Sequence, residues 1–385
     1  MNQFLSELKN FTKKGDWVLL LLCLVTSALG CVILASTTSA DKFDGNFRYI
    51  AIQVGCTVAG AFVFAIMSSL DIETLSEHRY LLVAFNMFLL FLIIPFGVNR
   101  GGNKSWLDIP GLPFMVQPAE VCKITYIVIA ASVMASHQNR ISSVPSVMHM
   151  AFHLILLFGT NMLLSRDMGV SLIFVFIFAG MAFAGGVSLL WFAGVLGLVA
   201  VAFPILWPRL DTYQQERILI IFDETVDAQG IGPRWHYKLN LQSLTGGGLT
   251  GQGLFNGTRT QAGSLYAQHT DYVFSSIGEE LGFFGCVIIM ILELAIIARC
   301  IYVGIRCPDY MRRLICFGAA SAMIFQIVIN IGMCIGVMPV IGLTLPFFSY
   351  GGSSLITLYG MLGLVSGAYA RPSSLSHERY IQPYR

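Results

Sequence analysis

Ten times between residues 17 and 370 the chain runs for about the thickness of a lipid bilayer with almost no charge. A helix needs about 20 mostly apolar residues to cross the hydrocarbon. The runs 17–36, 49–69, 80–98, 116–136, 147–164, 169–185, 187–207, 272–298, 313–337 and 349–370 meet or approach that length. Backbone polar groups in hydrocarbon must be satisfied within their own segment, so runs this long are read as helices. Of 385 residues, 56% are hydrophobic and 11% charged, against about 25% charged in soluble domains. No single soluble core hides that much apolar surface. The expected fold class is an all-α polytopic membrane protein of about ten transmembrane helices, a single integral membrane domain over 1–385. The fifth and sixth runs nearly fuse around "SRDMG".

Lys and Arg collect on the cytoplasmic side of membrane proteins. With the N-terminus inside, the inner segments hold 12 of them and the short outer loops 5. Both termini are therefore expected in the cytoplasm, with the long loop of about 208–271 outside. No small-residue cleavage site follows the first apolar run, which is read as a helix and not as a removed signal. A net charge of +2 gives no reason to expect nucleic acid. The nine cysteines form no CxxC pair and no Cys/His cluster, so they are read as small buried hydrophobes. Loops as long as 208–271 are usually functional or disordered. In this one, "RILIIF" and "YKLNLQSL" suggest short amphipathic pieces. "GQGLFNG" lacks the lysine and the βαβ unit of a nucleotide site.

Ionisable groups at membrane depth are functional candidates because their insertion is costly. In "AQHTDYVFSSIGEELGFFG", Asp271 stands where the long loop meets the eighth run. It is either a general base in reach of water or a helix N-cap. Glu279 and Glu280 follow. On an unbroken helix they lie about 12–13.5 Å further in; with a bend at Gly278 or Gly282, 271–280 is instead an interfacial or re-entrant piece. Glu293 lies about 40° from Glu279 on a helical wheel, so the two could share a polar seam. Glu120 and Lys123 are spaced i,i+3 and either neutralise each other or offer Lys123 to a phosphate. Arg166 and Asp167 mark an outer turn expected to be exposed. In "LPFFSYGGSSL", broken backbone precedes Gly351, Gly352, Ser353 and Ser354, whose N–H groups could receive an anion; otherwise this is a plain outer hairpin.

Two of these motifs, "QHTDYVFSSIGEELGFFG" and "MPVIGLTLPFFSYGGSS", resemble the SEDS family (shape, elongation, division and sporulation), which includes RodA, FtsW and SpoVE. "KSWLDIPGLPFMVQPAEVCK", "YQQERILIIFD" and "GGGLTGQGLFNGT" are weaker matches, and the likeness runs from about 17 to 372. In place of the family's Gln-Pro-Asp-Leu-Gly the chain has Ser165-Arg166-Asp167-Met168-Gly169. The resemblance implies a peptidoglycan glycosyltransferase of the bacterial cytoplasmic membrane that polymerises lipid II into β-1,4 glycan at the outer face. It implies Asp271 as the catalytic residue. Glu120, His269 and Ser353 are expected at the substrate, and Lys123, Arg217 and Arg259 are candidates for its pyrophosphate. Asp167, Glu279, Glu280, Gly351 and Gly352 are expected to support the site. A divalent cation, Mg or Mn, would suit the pyrophosphate. The implied partners are lipid II, membrane lipids and a class B penicillin-binding protein that crosslinks the new strand. Short terminal segments lean the reading towards elongation over division. The alternative is a lipid II flippase, which needs polar groups staged through the membrane; a non-catalytic scaffold is the third reading.

Overall fold

A computed structural model describes residues 15–40, 47–100, 103–209, 212–223, 226 and 233–371. From the N-terminus come α1 (Trp17–Thr37), α2 (Arg48–Ser69), the short α3 (Ile72–Glu77), α4 (Arg79–Phe91) and α5 (Ile93–Phe96). A hairpin of β1 (Gly97–Arg100) and β2 (Asn103–Leu107) follows. Next come α6 (Pro118–Ser136), α7 (Val144–Ser165), α8 (Met168–Ala184) and α9 (Leu189–Leu206). The long outer loop contains α10 (Thr212–Leu219), α11 (Pro233–Gly246) and α12 (Thr258–Gln261). The chain then returns through α13 (Val273–Arg306), α14 (Tyr310–Ile335) and α15 (Gly352–Ala370). Eight spans are long and apolar enough to cross a membrane, and α8 and α9 are shorter apolar helices. Together they occupy the ten stretches read from the sequence.

The hairpin was not expected. The third apolar run was read as helix to residue 98, but the helix stops at Phe96 and Gly97 enters β1. In β2, Ser105 and Leu107 are buried while Lys104 is exposed. That alternation is too short to stand out between two long apolar runs. A bridge between Leu107 and Val116 ties the hairpin to the start of α6.

Polar contacts at the two ends of α1 measure the membrane. At its inner end Asp16 caps the helix through the Leu19 N–H and pairs with Arg299 at 2.9 Å. At its outer end Ser36 donates to Glu280 at 2.5 Å. Residues 16 and 36 are separated by about 30 Å of helix, the thickness of the hydrocarbon. Glu280 therefore sits at the outer boundary, and of the two alternatives the structure takes the bent one over the unbroken helix. The physical reason is Gly282. Its φ of 68° and ψ of −165° break α13 into an outer piece and an inner piece that spans the bilayer alone. The bend lies here and not at Gly278, whose α-carbon is packed against Leu244.

Close helix approach uses small residues. α15 lies against α2, where a Cβ at Gly363 would come within 2.6 Å of the Phe64 carbonyl oxygen and one at Gly367 within 3.0 Å of that of Ser68. The contact is sealed by a hydrogen bond between Ser68 and Ser366 of 2.8 Å, and Ser366 also receives the Asp16 N–H. With no hydrophobic drive between helices in lipid, backbone proximity and such hydroxyl pairs hold the bundle together.

Candidate active site

The glycine-rich loop explains how the break in α13 is tolerated. A broken helix leaves carbonyls and N–H groups unpaired, which survives at a membrane only if other groups satisfy them. The carbonyls of Glu279 and Glu280 accept from the N–H groups of Gln252 and Gly253, each at 2.9 Å. The N–H groups of Phe283 and Phe284 donate to the carbonyls of Gly248 and Leu249 at 2.9 and 3.2 Å. The segment 247–253 is thus inserted where the helix would have bonded itself. Its glycines permit the approach: side chains at Gly247 and Gly251 would overlap the carbonyl oxygens of Gly278 and Glu280.

Glu279 and Glu280 brace this arrangement. Glu279 is fully buried and accepts from the backbone N–H groups of Arg259 and Thr260, at 3.0 and 2.8 Å, and from the Thr260 hydroxyl at 2.6 Å. Arg259 adds a longer ion pair at 3.8 Å. Glu280 takes the Ser36 hydroxyl and the Gln261 amide. Both carboxylates anchor the outer loop to the outer ends of α1 and α13. The break at Gly282 also cancels the wheel that put Glu279 and Glu293 on one seam. Glu293 lies within the membrane, 1% exposed, with no partner for either carboxylate oxygen among the described residues; nothing in the structure explains it.

Asp271 sits one residue before the N-cap of α13, a position that Tyr272 occupies. Three consecutive carbonyls in its turn are held by α14 and the connection from α14 to α15. The His269 carbonyl accepts from the Tyr350 N–H at 2.8 Å and that of Thr270 from the Ser349 hydroxyl at 2.6 Å. The Asp271 carbonyl accepts from the Asn330 amide at 2.8 Å, and Asn330 donates as well to Leu343 at 2.7 Å. This pinning fixes the backbone that carries the carboxylate, which is half-buried and faces the bend at Gly342. The rings of Tyr49, His269 and Tyr350 pack together beside it, with centroids 5.1–6.0 Å apart.

The same connection reaches the second polar centre. Pro346 lines a cleft with Glu120, Lys123, Gln326, Ser354 and Thr357. Glu120 and Lys123 are buried and paired at 2.7 Å, and Thr357 donates to Glu120 at 3.1 Å. Asp167 lies next to this group. The outer turn expected to be exposed is instead folded in at Asp167, which caps α8 through the Val170 N–H and accepts from the Gln117 amide at 2.9 Å. Burial pushes the Asp167 carboxyl up, with Glu120 adding to the shift. Arg166, in a left-handed conformation, makes the turn and remains exposed.

The start of α15 is not an open anion cradle. A Cβ at Gly352 would come within 2.6 Å of the Phe114 ring, and the Ser353 hydroxyl accepts the Gln117 N–H at 3.2 Å. Gly351 is in extended backbone just before the helix. Arg259 is drawn towards Glu279, and Arg217 lies on α10 with its side chain outside the described residues. The structure therefore brings Asp271, His269, Glu120, Lys123 and Asp167 around one connection and leaves Arg259 on the loop anchor. Sequence reasoning missed Asn330, Ser349, Gln117 and Gln326; uncharged polar residues in apolar helices were the available signal. Among the described residues no group of three or more His, Cys, Asp or Glu could hold a metal ion.

Eight membrane-length helices and two shorter apolar ones, with polar groups gathered around the pinned turn of Asp271, define a multi-pass membrane protein with a candidate site at one membrane face. The family model described as "Cell cycle protein", FtsW/RodA/SpoVE, matches residues 16–372, and the chain belongs to that family, which places it in the bacterial cytoplasmic membrane. It is 28% identical over 364 residues to the peptidoglycan glycosyltransferase MrdB of Escherichia coli, covering 94% of this chain and 95% of that one. It is 30% identical to stage V sporulation protein E of Bacillus subtilis, covering 90% and 94%. Among solved structures, it superposes with a TM-score of 0.77 and 29% identity on a chain of a peptidoglycan synthase complex described for the coordination of polymerization and crosslinking, covering 95% and 99%. The rod shape determining protein RodA of Thermus thermophilus matches with a TM-score of 0.68 and 27% identity, covering 92% and 96%.

Proposed function

We propose that this chain is a peptidoglycan glycosyltransferase that polymerises lipid II into β-1,4 glycan strands at the outer face of the cytoplasmic membrane. The observation that carries the reading is the pinned turn: three consecutive carbonyls held by Tyr350, Ser349 and Asn330 present Asp271 at the outer boundary. The donor sugar is α-linked to an undecaprenyl pyrophosphate and the new bond is β. One inversion therefore needs a base on the face opposite the leaving group. Asp271 deprotonates or orients the attacking 4-hydroxyl, a role worth about 10²–10⁴-fold. The leaving pyrophosphate needs positive charge, for which Arg259 and Arg217 are the candidates on the outer loop. Lys123 reaches a phosphate only by parting from Glu120. A divalent cation such as Mg, commonly held by one or two carboxylates together with substrate phosphates, would supply further positive charge there.

The flippase reading requires polar groups staged through the full depth of the membrane. Glu293 has no partner among the described residues, and Glu120 and Lys123 are closed on each other near the outer end of α6, which favours surface chemistry over transport. The expected partner is a class B penicillin-binding protein. The lipid-facing Ile288, Ile291 and Leu294 of α13 and Ile324 and Val328 of α14 are exposed and offer a face for its single span. For the cellular role we propose elongation; depletion should give round cells, whereas filaments would assign it to division. Purified Asp271→Asn protein mixed with lipid II should make no glycan strands, and polymer at wild-type levels from that variant would remove the base assignment.

A further inference from the structure

Two arginines at the inner end of α13 share one tyrosine. The guanidinium carbons of Arg299 and Arg306 lie 5.1 and 4.5 Å from the centre of the Tyr302 ring, and that of Arg299 lies 5.1 Å from the Tyr369 ring as well. A cation is attracted to an aromatic face, more strongly where water is scarce. Arg299 is already engaged inside the bundle: the buried Asp16 accepts from its Nε at 2.9 Å and from a terminal nitrogen at 3.0 Å. Arg306 is exposed, and among the described residues no acid pairs with it and no hydrogen bond uses its N–H groups. Asp309, three residues on, is turned to α14, where it accepts the Arg312 N–H at 2.8 Å, and Glu73 takes the Arg312 guanidinium at 2.7 Å. One positive charge is left uncompensated on the Tyr302 ring.

Depth and surroundings state which anion fits. Asp16 and Arg299 mark the inner edge of the hydrocarbon. Side chains on a helix lean towards its N-terminus, which for α13 is towards the membrane. The Arg306 guanidinium accordingly rests on Tyr302, about 4.5 Å beyond Arg299 along the helix, within a headgroup layer about 5–7 Å deep. Tyr302, Ile305 and Tyr369 are exposed beside it, and so is Trp17, which follows Asp16 on α1. Aromatic side chains at this depth belong to the membrane interface. A soluble anion would meet the charge but not the apolar surface; a phospholipid with an anionic headgroup meets both. The planar guanidinium fork matches the free oxygens of a phosphodiester, and one uncompensated charge suits a headgroup of net charge −1. We propose that Arg306, held by Tyr302, binds the phosphate of an anionic phospholipid of the phosphatidylglycerol class in the inner leaflet, its acyl chains lying along the exposed apolar side of α13. The site is on the opposite face from Asp271, and the inference stands without the glycosyltransferase reading.

The test uses the full-length purified protein in detergent with equal amounts of phosphatidylglycerol and phosphatidylcholine. Native mass spectrometry reads which lipid the one-lipid adduct carries. Wild type should retain phosphatidylglycerol over phosphatidylcholine by about fivefold, the preference expected of one arginine beside an anionic lipid. Arg306→Gln should bring the two within about twofold of each other. Tyr302→Leu keeps both charges and removes the ring that holds Arg306, so it should give an intermediate ratio. Arg79 is another inner-face arginine resting on a tyrosine, 5.1 Å from the Tyr80 ring; Arg79→Gln should leave the ratio unchanged. An excess of inorganic phosphate should leave it unchanged too, because free phosphate gains nothing from the apolar surface. Equal retention of both lipids by wild type, or a full preference in Arg306→Gln or Tyr302→Leu, overturns the inference. So does an equal loss in Arg79→Gln, which would assign the preference to inner-face charge in general, or displacement of the lipid by phosphate.

Discussion

Glu279 shows how far a residue's meaning depends on its partners. Read along the sequence, it is a carboxylate heading into hydrocarbon; in the fold it is the acceptor for two backbone N–H groups and a hydroxyl of α12. Hydrogen bonds to a charged group are worth about 1.5–3 kcal/mol each, and stranding the donors adds to the loss. Glu279→Ala should therefore lower stability by about 3 kcal/mol or more and free the outer loop, read as faster proteolysis between residues 247 and 268 at a reduced melting temperature. Equal cleavage rates in variant and wild type would refute the anchoring role. Asp271 was legible as a candidate because a carboxylate at the mouth of an apolar run is conspicuous. Asn330 was not: one amide among apolar neighbours carries no hint that it will meet a carbonyl 59 residues away.

The same holds for the broken helix as an element. Gly282 was visible as a place where α13 could bend, and so was Gly278. Nothing local separates them. What selects Gly282 is the loop that lies against it: its backbone takes a conformation open to glycine, and a Cβ there would come within 2.7 Å of the Leu249 carbonyl oxygen. Gly282→Ala should cost at least about 2–3 kcal/mol and detach segment 247–253 from the helix. Gly278→Ala would meet a flexible leucine side chain as well as backbone. Hydrogen exchange at the N–H groups of Gln252 and Gly253 would report the detachment; unchanged protection in Gly282→Ala would show that the loop is held by other means. The glycine-rich loop itself was conspicuous in the sequence, but its use was not, since a backbone-to-backbone insertion leaves no side-chain signature. The β1–β2 hairpin was hidden for a related reason: its alternation is shorter than the apolar runs that flank it.

For the whole molecule, the charge distribution and the bundle agree on orientation. Loops rich in Lys and Arg lie at the end where Asp16 meets Arg299, and the long loop lies at the end where Ser36 meets Glu280. In a background with the native cysteines replaced, a membrane-impermeant thiol reagent added to intact cells should label Ser264→Cys in the outer loop and spare Asn139→Cys between α6 and α7, both exposed positions. The opposite pattern would invert the topology. The sequence by itself made legible the apolar runs, the orientation that their flanking charges favour and the acidic residues at the mouth of the eighth, because bilayer thickness and charge cost act on local stretches of chain. Only the tertiary structure decided which carboxylates brace the outer loop, which one is carried on the pinned turn, and where α13 breaks. Those outcomes depend on hydrogen bonds between residues distant in sequence, and no local pattern encodes which partner a buried polar group will find.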